Sequence, residues 1–252
     1  MGMTRWQLIS GEDISIQGIG TIVQPRLKDL RSETGIGFST FFTYLFIFAR
    51  NIREEALDNP DAKQLCDEMD AILKRDFTTF DFYTGNKTVL LHITKALSFF
   101  IKESIEYRED MNSFCVFSPD KQEPIGFISH ENYQVVADAI CEVCNIKVEH
   151  EELPKNKSKT LMDIWMKLRK GRKSMKKSAD KNLSLENLVS KITARHPSYN
   201  YLNIWDLTIF QVYDTFQNMA MNEVFERDRL RWAAWGKDEY KNDNMWYAAH
   251  NS

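Results

Sequence analysis

The hydrophobic and polar positions change period several times along the chain, and each change marks an element. Residues 5–9 and 13–17 flank Ser10-Gly11-Glu12, and Ile14 and Ile16 alternate with polar neighbours, which predicts a β-hairpin. Gly18 and Gly20 bracket Ile19, and Thr21-Ile22-Val23 returns as a short strand. Pro25 then suits the first turn of a short helix over 26–33. Residues 36–58 read as a second helix. Its first half, with Ile36, Phe38, Phe41, Phe42, Tyr44, Leu45, Phe46, Ile47 and Phe48, is apolar nearly all round, the pattern of a helix buried on several sides. Asn59 caps, and Pro60 opens, a further helix to about residue 75.

After a turn at Gly85-Asn86, the positions Leu90, Ile93, Leu97, Phe100 and Ile101 keep helical spacing in a helix over 87–107. Two extended runs, 114–117 and 125–128, are split by the turn signal Ser118-Pro119-Asp120. Ser129 caps a helix over 130–145. Leu161, Ile164, Trp165, Leu168 and Met175 mark an amphipathic basic helix that frays at Gly171 and the Lys/Ser-rich end. Ser184 caps a helix to Arg195, which His196-Pro197-Ser198 breaks. Asn203 and Asp206 resemble a capping pair ahead of a last helix. There Trp205, Ile209, Val212, Phe216 and Met219 recur at spacings of four, three, four and three. The tail from Gly236 is polar, with Trp246 and Tyr247 as a docking hook. The expected fold is mainly α with small β elements (α+β). It divides into an N-terminal α+β domain over 1–150, a basic linker helix over 151–182 and a helical C-terminal domain over 183–252.

Composition adds little to that picture. Ten Gly and six Pro in 252 residues are too few for the many turns of a sandwich or barrel. The longest apolar run, 36–49, is interrupted by Ser39, Thr40 and Thr43 and is shorter than the ~20 residues of a spanning helix, so no membrane segment is expected. No secretory signal pattern opens the chain, and the four cysteines do not form a disulfide framework, which points to a reducing compartment. Charge is informative only in its distribution. Residues 155–181 hold eleven Lys/Arg and two Asp, a local +9, so with a total of −3 the remainder carries −12. The densest part is Lys167, Arg169, Lys170, Arg172, Lys173, Lys176 and Lys177. A solvated linker is the plainest reading of this patch, followed by contact with an acidic protein, with nucleic acid or a membrane surface behind both. Only Trp165 is aromatic there, so no stacking surface for single strands is indicated.

No catalytic constellation is expected. Cys141-Glu142-Val143-Cys144 is a CxxC, but Cys144 falls on the apolar face of Tyr133, Val136, Ala137 and Ile140, so both thiols read as buried packing groups rather than metal ligands. None of the five histidines pairs in sequence with a nucleophile, and His196 reads as a turn former. Gly18-Ile19-Gly20 and Gly85-Asn86-Lys87-Thr88 lack the further glycines and the strand–turn–helix setting of nucleotide loops. What exceeds the ordinary is apolar helix surface. Phe41, Phe42, Tyr44, Phe46 and Phe48 form one candidate partner surface, which also raises self-association, and Trp205, Ile209, Val212 and Phe216 form a second.

Four stretches carry a resemblance. They are ISIQGIGTIVQPRLKDL at 14–30, KALSFFIKESIEY at 95–107 with ISHENYQVVADAI at 128–140, and LSLENLVSKITARHPSYNYLNIWDLTIFQVYDTF at 183–216. The last, with HPSYN and IWDLTIFQVYD, is the most specific. Together they resemble a family of tail-region proteins of bacteriophages of Gram-positive hosts, whose members look like tail assembly chaperones. The resemblance implies a factor in the host cell cytoplasm that coats the helix-rich tape measure protein until tail tube protein surrounds it, and that is then lost from the particle. It implies no cofactor and no catalytic residue. A structural protein of the tail or baseplate is the alternative.

Overall fold

The computed structural model describes residues 3–120, 123–146 and 184–235. The basic segment, including Lys167 to Lys177, and the Trp246-Tyr247 tail lie outside them. The fold is α+β: helices dominate, with antiparallel sheets of two and three strands. The chain divides into two compact units, residues 1–153 with 208–210, and residues 154–207 with 211–252.

The first element corrects the expected hairpin. Arg5–Ser10 is a helix, α1. Thr4 and Gln7 form a capping box, with Gln7 N–H donating to Thr4 Oγ1 (3.4 Å) and Thr4 N–H to Gln7 Oε1 (3.0 Å). Gly11 stops the helix in the left-handed region, at φ 68°. The hairpin exists one step later, where β1 (Ile14–Ile16) pairs with β2 (Gly20–Ile22). The buried Gln24 amide then donates to the carbonyls of Gln7 and Glu12, both at 2.8 Å, and ties α1 to this hairpin. Leu27–Leu30 is a single 3-10 turn rather than the helix expected over 26–33.

Helix α2 (Phe38–Ala49) stops at Arg50, and α3 (Ile52–Glu55) restarts after an Asn51 cap, so the helix expected over 36–58 is two. α4 (Pro60–Leu73) has the expected Asn59 cap and Pro60 opening. Ile52, Ala62, Cys66 and Phe77 form a small core of their own around α3 and α4. Arg53 knits it together, reaching the Phe77 carbonyl (2.8 Å) and both oxygens of Asp70. α5 (Thr79–Thr84) was not anticipated. A Thr78–Asp81 capping box starts it, and Arg75 grips the buried Asp81 carboxylate through two hydrogen bonds of 2.7 Å.

α6 (Lys87–Phe100) ends seven residues earlier than its periodicity suggested. The next residues are captured by the first sheet: Val23 N–H donates to Phe100 O (2.8 Å) and Lys102 N–H to Thr21 O (3.0 Å). The chain then turns into β3 (Ser104–Arg108), which pairs with β4 (Ser113–Phe117), itself paired with β5 (Pro124–Ile128). The central strand is buried on both faces from Ser113 to Val116. Gly18, at φ 76°, turns the β1–β2 hairpin onto β5, where its carbonyl accepts from Phe127 N–H (3.0 Å). A Cβ at Gly126 would meet that carbonyl at 2.6 Å, so only glycine fits. α7 (Tyr133–Val143) closes this unit. Phe41, Phe48, Phe80, Phe100 and Phe114 are fully buried at its centre, with Phe48 and Phe100 edge to face at 5.5 Å.

In the second unit α8 (Leu185–Arg195) buries Leu185, Leu188 and Ile192 at spacings of three and four. A 3-10 turn at Ile204–Asp206 precedes α9 (Ile209–Trp235). Among the described residues no helix is long and apolar enough to cross a membrane, and no group of three or more His, Cys, Asp or Glu could hold a metal ion.

Candidate partner-binding surface

α2 reads FSTFFTYLFIFA, twelve residues without a charge. The structure sorts its apolar side chains onto two lines. Phe41, Tyr44, Leu45, Ile47 and Phe48 face inward. Phe41 meets Phe99 and Phe100 (6.3 and 6.2 Å between ring centroids), and Phe48 lies over Tyr133 at 6.5 Å. The Tyr83 hydroxyl donates to Ile47 O at 2.8 Å and fixes the last turn; burial pushes its phenol up to about 12, so it keeps its proton and keeps donating. Of the five residues expected to meet a partner from this helix, Phe41, Tyr44 and Phe48 are therefore core residues. Their apolarity is spent inside the unit.

Phe42 and Phe46 face outward, 41 % and 68 % exposed, and Phe38 joins them at 36 %. Positions 38, 42 and 46 recur every four residues and so stack on one side of the helix. Phe38 and Phe42 touch at 4.6 Å between centroids, and Phe42 leans edge-on against buried Phe41 at 5.5 Å. The ridge is thus rigid at its base and open above. Phe38 was missed as a contact residue, although the spacing that marks it was in the sequence. The far end of the helix is closed by Arg50, which holds Glu55 through two hydrogen bonds of 2.7 Å and lies over the Phe82 ring at 4.4 Å.

The second expected surface does not form as drawn. Trp205 lies on the 3-10 turn, not on α9, and its indole N–H donates to Tyr201 O (2.7 Å). Ile209 and Val212 are buried, and Ile209 N–H donates to Pro25 O (2.9 Å). Phe216 is half-buried. Ile209 and Val212 are therefore core residues, and Trp205, like Phe216, is half-buried. The residues HPSYN are explained by the turn itself. His196 N–H closes α8 onto Ile192 O (2.8 Å), its Nδ1 accepts from Ser198 N–H (3.2 Å), and its ring lies on Tyr199 (4.6 Å). Asn203 completes the loop, accepting from Asn200 N–H and donating to Ser198 O, both at 2.8 Å. Between this turn and α9 lies an open cleft of about 580 Å³, lined among others by Tyr199, Asn218, Met219 and Asn222. Arg195 and Glu223 are ion-paired across its wall.

All four cysteines are buried. Desolvation pushes the Cys141 thiol up to about 12 and Cys144 well above the ordinary thiol range, so both are protonated at neutral pH. No curated protein and no solved structure gives a match. Residues 174–250, which span α8, the HPSYN turn and α9 and extend beyond the described residues at both ends, match the model of a family described as the YomV second domain, so this C-terminal part of the chain is similar to a phage-associated family.

Proposed function

We propose that the chain is a phage tail assembly chaperone that acts by binding, not catalysis, and holds an amphipathic helix of the tape measure protein on the ridge of Phe38, Phe42 and Phe46. The reading rests on one observation: an uncharged helix uses one line of phenylalanines for its own core and leaves a second line in solvent. The largest apolar patch on an ordinary monomer is often functional. At the exposures found here the three rings present roughly 300 Å² of apolar surface, worth about 7 kcal/mol gross on burial. Association costs of about 4–15 kcal/mol offset that gain. The ridge alone therefore gives a weak, reversible grip, which suits a factor that must let go when tail tube protein arrives. The similarity of the C-terminal part to a phage-associated family and the likeness of 183–216 to tail-region proteins support the setting, the host cell cytoplasm.

Co-expression with the tape measure protein of the same phage tests the proposal. The expected result is co-purification and a rise in soluble tape measure protein, both lost in the double variant Phe42→Ser/Phe46→Ser. Equal recovery with the double variant would remove the ridge from the mechanism. Mass spectrometry of purified particles separates this role from a virion component, since a chaperone is absent from them.

A further inference from the structure

The unit that carries the ridge is strongly acidic. Residues 1–153 hold 25 Asp/Glu against 15 Lys/Arg, a net −10, whereas residues 154–252 hold 18 Lys/Arg against 11 Asp/Glu, a net +7. No charge lies on the ridge itself, because residues 34–49 contain none. Of the two helices that pack most against α2, α6 carries Lys87 and Lys95 and no acidic residue, and the acidic side chains come from α7. α7 packs along α2, and its outward-facing line, extended back to Glu131 two residues before the helix, runs Glu131, Val135, Asp138 and Glu142, two of them exposed and two half-buried. The site is thus an apolar line on an anionic body.

Resting on the ridge reading above, we infer that the occupant is a cationic amphipathic helix, with leucine-like side chains on Phe38, Phe42 and Phe46 and Lys or Arg on its flanks. Each part of the site selects one feature of it. The period-four line of rings accepts side chains at i, i+3, i+4 and i+7 from a helix laid alongside. The absence of charge on the ridge leaves nothing to desolvate under the apolar face. The negative body steers a positive helix in and turns a negative one away. A second copy of this unit fits less well, because two bodies of net −10 would meet across an interface whose apolar core is only roughly 300 Å² a side, against the ~800 Å² of a standard interface.

Two synthetic peptides of about five helical turns, with identical leucine spacing and with polar faces of lysine or of glutamate, separate these ideas. Their binding to the full chain is read by fluorescence anisotropy. The lysine peptide should bind at least ~10-fold more tightly than the glutamate peptide. Raising salt from about 50 to 300 mM should narrow the gap, and Phe42→Ser/Phe46→Ser should weaken the lysine peptide ~10-fold while leaving the melting temperature in place. If that double variant folds poorly, Phe46→Ser alone, at the most exposed ring, replaces it. Equal affinity for both peptides, lost together in the variant, overturns the cationic preference and leaves the ridge standing. Lysine-peptide binding untouched by the variant overturns the ridge as well. A dimer of the free chain, seen by sedimentation and abolished by the variant, assigns the face to a second copy and overturns the inference.

Discussion

At the scale of single residues, polar groups set the expected outcomes. Among the described residues the buried Tyr133 hydroxyl has no hydrogen-bond partner, whereas Tyr83 beside it has the Ile47 carbonyl. A buried donor without a partner costs about 1–3 kcal/mol. Tyr133→Phe should therefore hold or raise stability in urea unfolding, while Tyr83→Phe should lower it by about 1 kcal/mol. Asp81 gives the opposite case. Burial pushes its carboxyl up, but Arg75, the Thr78 hydroxyl and the Thr78 N–H together outweigh burial and hold it below the usual range. A depressed folded-state value means stability that is present above the unfolded pKa, about 3.9, and lost as pH falls through the folded one. Asp81→Asn should cost about 1.5–3 kcal/mol at neutral pH, and its gap from the parent should close on acidification below about pH 4. The four buried thiols should resist a disulfide reagent at pH 8 until the protein is unfolded.

At the scale of elements, α2 is the test of how one helix serves two purposes. Phe41→Ala removes a fully buried ring and should cost about 3–5 kcal/mol, whereas Phe46→Ser, on the side of the helix opposite the core line, should change stability by less than about 0.5 kcal/mol. Chemical denaturation of the two variants reads the difference directly. The sequence made α2 legible as a helix and as unusually apolar, yet could not say which phenylalanines were surplus. Its wheel has no polar half to orient it; only the positions of α6, α7 and Tyr83 decide that 41, 44, 45, 47 and 48 turn inward. Other elements failed for stated local reasons. α1 has the T-x-x-Q signature of a capping box, but its alternation with the next strand drew the residues into a hairpin. β3 shows a period of two at Ile105 and Tyr107, but the helical run through Phe100 and Ile101 masked its start, and the end of α6 is set by hydrogen bonds from Val23 and to Thr21, some eighty residues away in sequence.

At the scale of the whole molecule, charge separation along the chain is the main property. An N-terminal part of net −10 and a C-terminal part of net +7 on one chain of pI about 6.0 attract their counterparts on neighbouring molecules. Light scattering at neutral pH should therefore fall as salt rises from about 20 to 300 mM, over which the screening length drops several-fold. If scattering instead rises with salt, apolar contacts such as the ridge govern association.

What the sequence determined by itself was whatever depends on local covalent and periodic facts. These are the α+β balance from few glycines and prolines, the cap at Asn59, the turn at Gly85-Asn86, the HPSYN break, the buried face of α7 and the strand pair around Pro119. What only the tertiary structure decided was which apolar surface is left over. Hydrophobic burial has no direction of its own; a phenylalanine becomes core or contact according to what else reaches it. Here distant segments reached Phe41, Tyr44 and Phe48 and did not reach Phe38, Phe42 and Phe46.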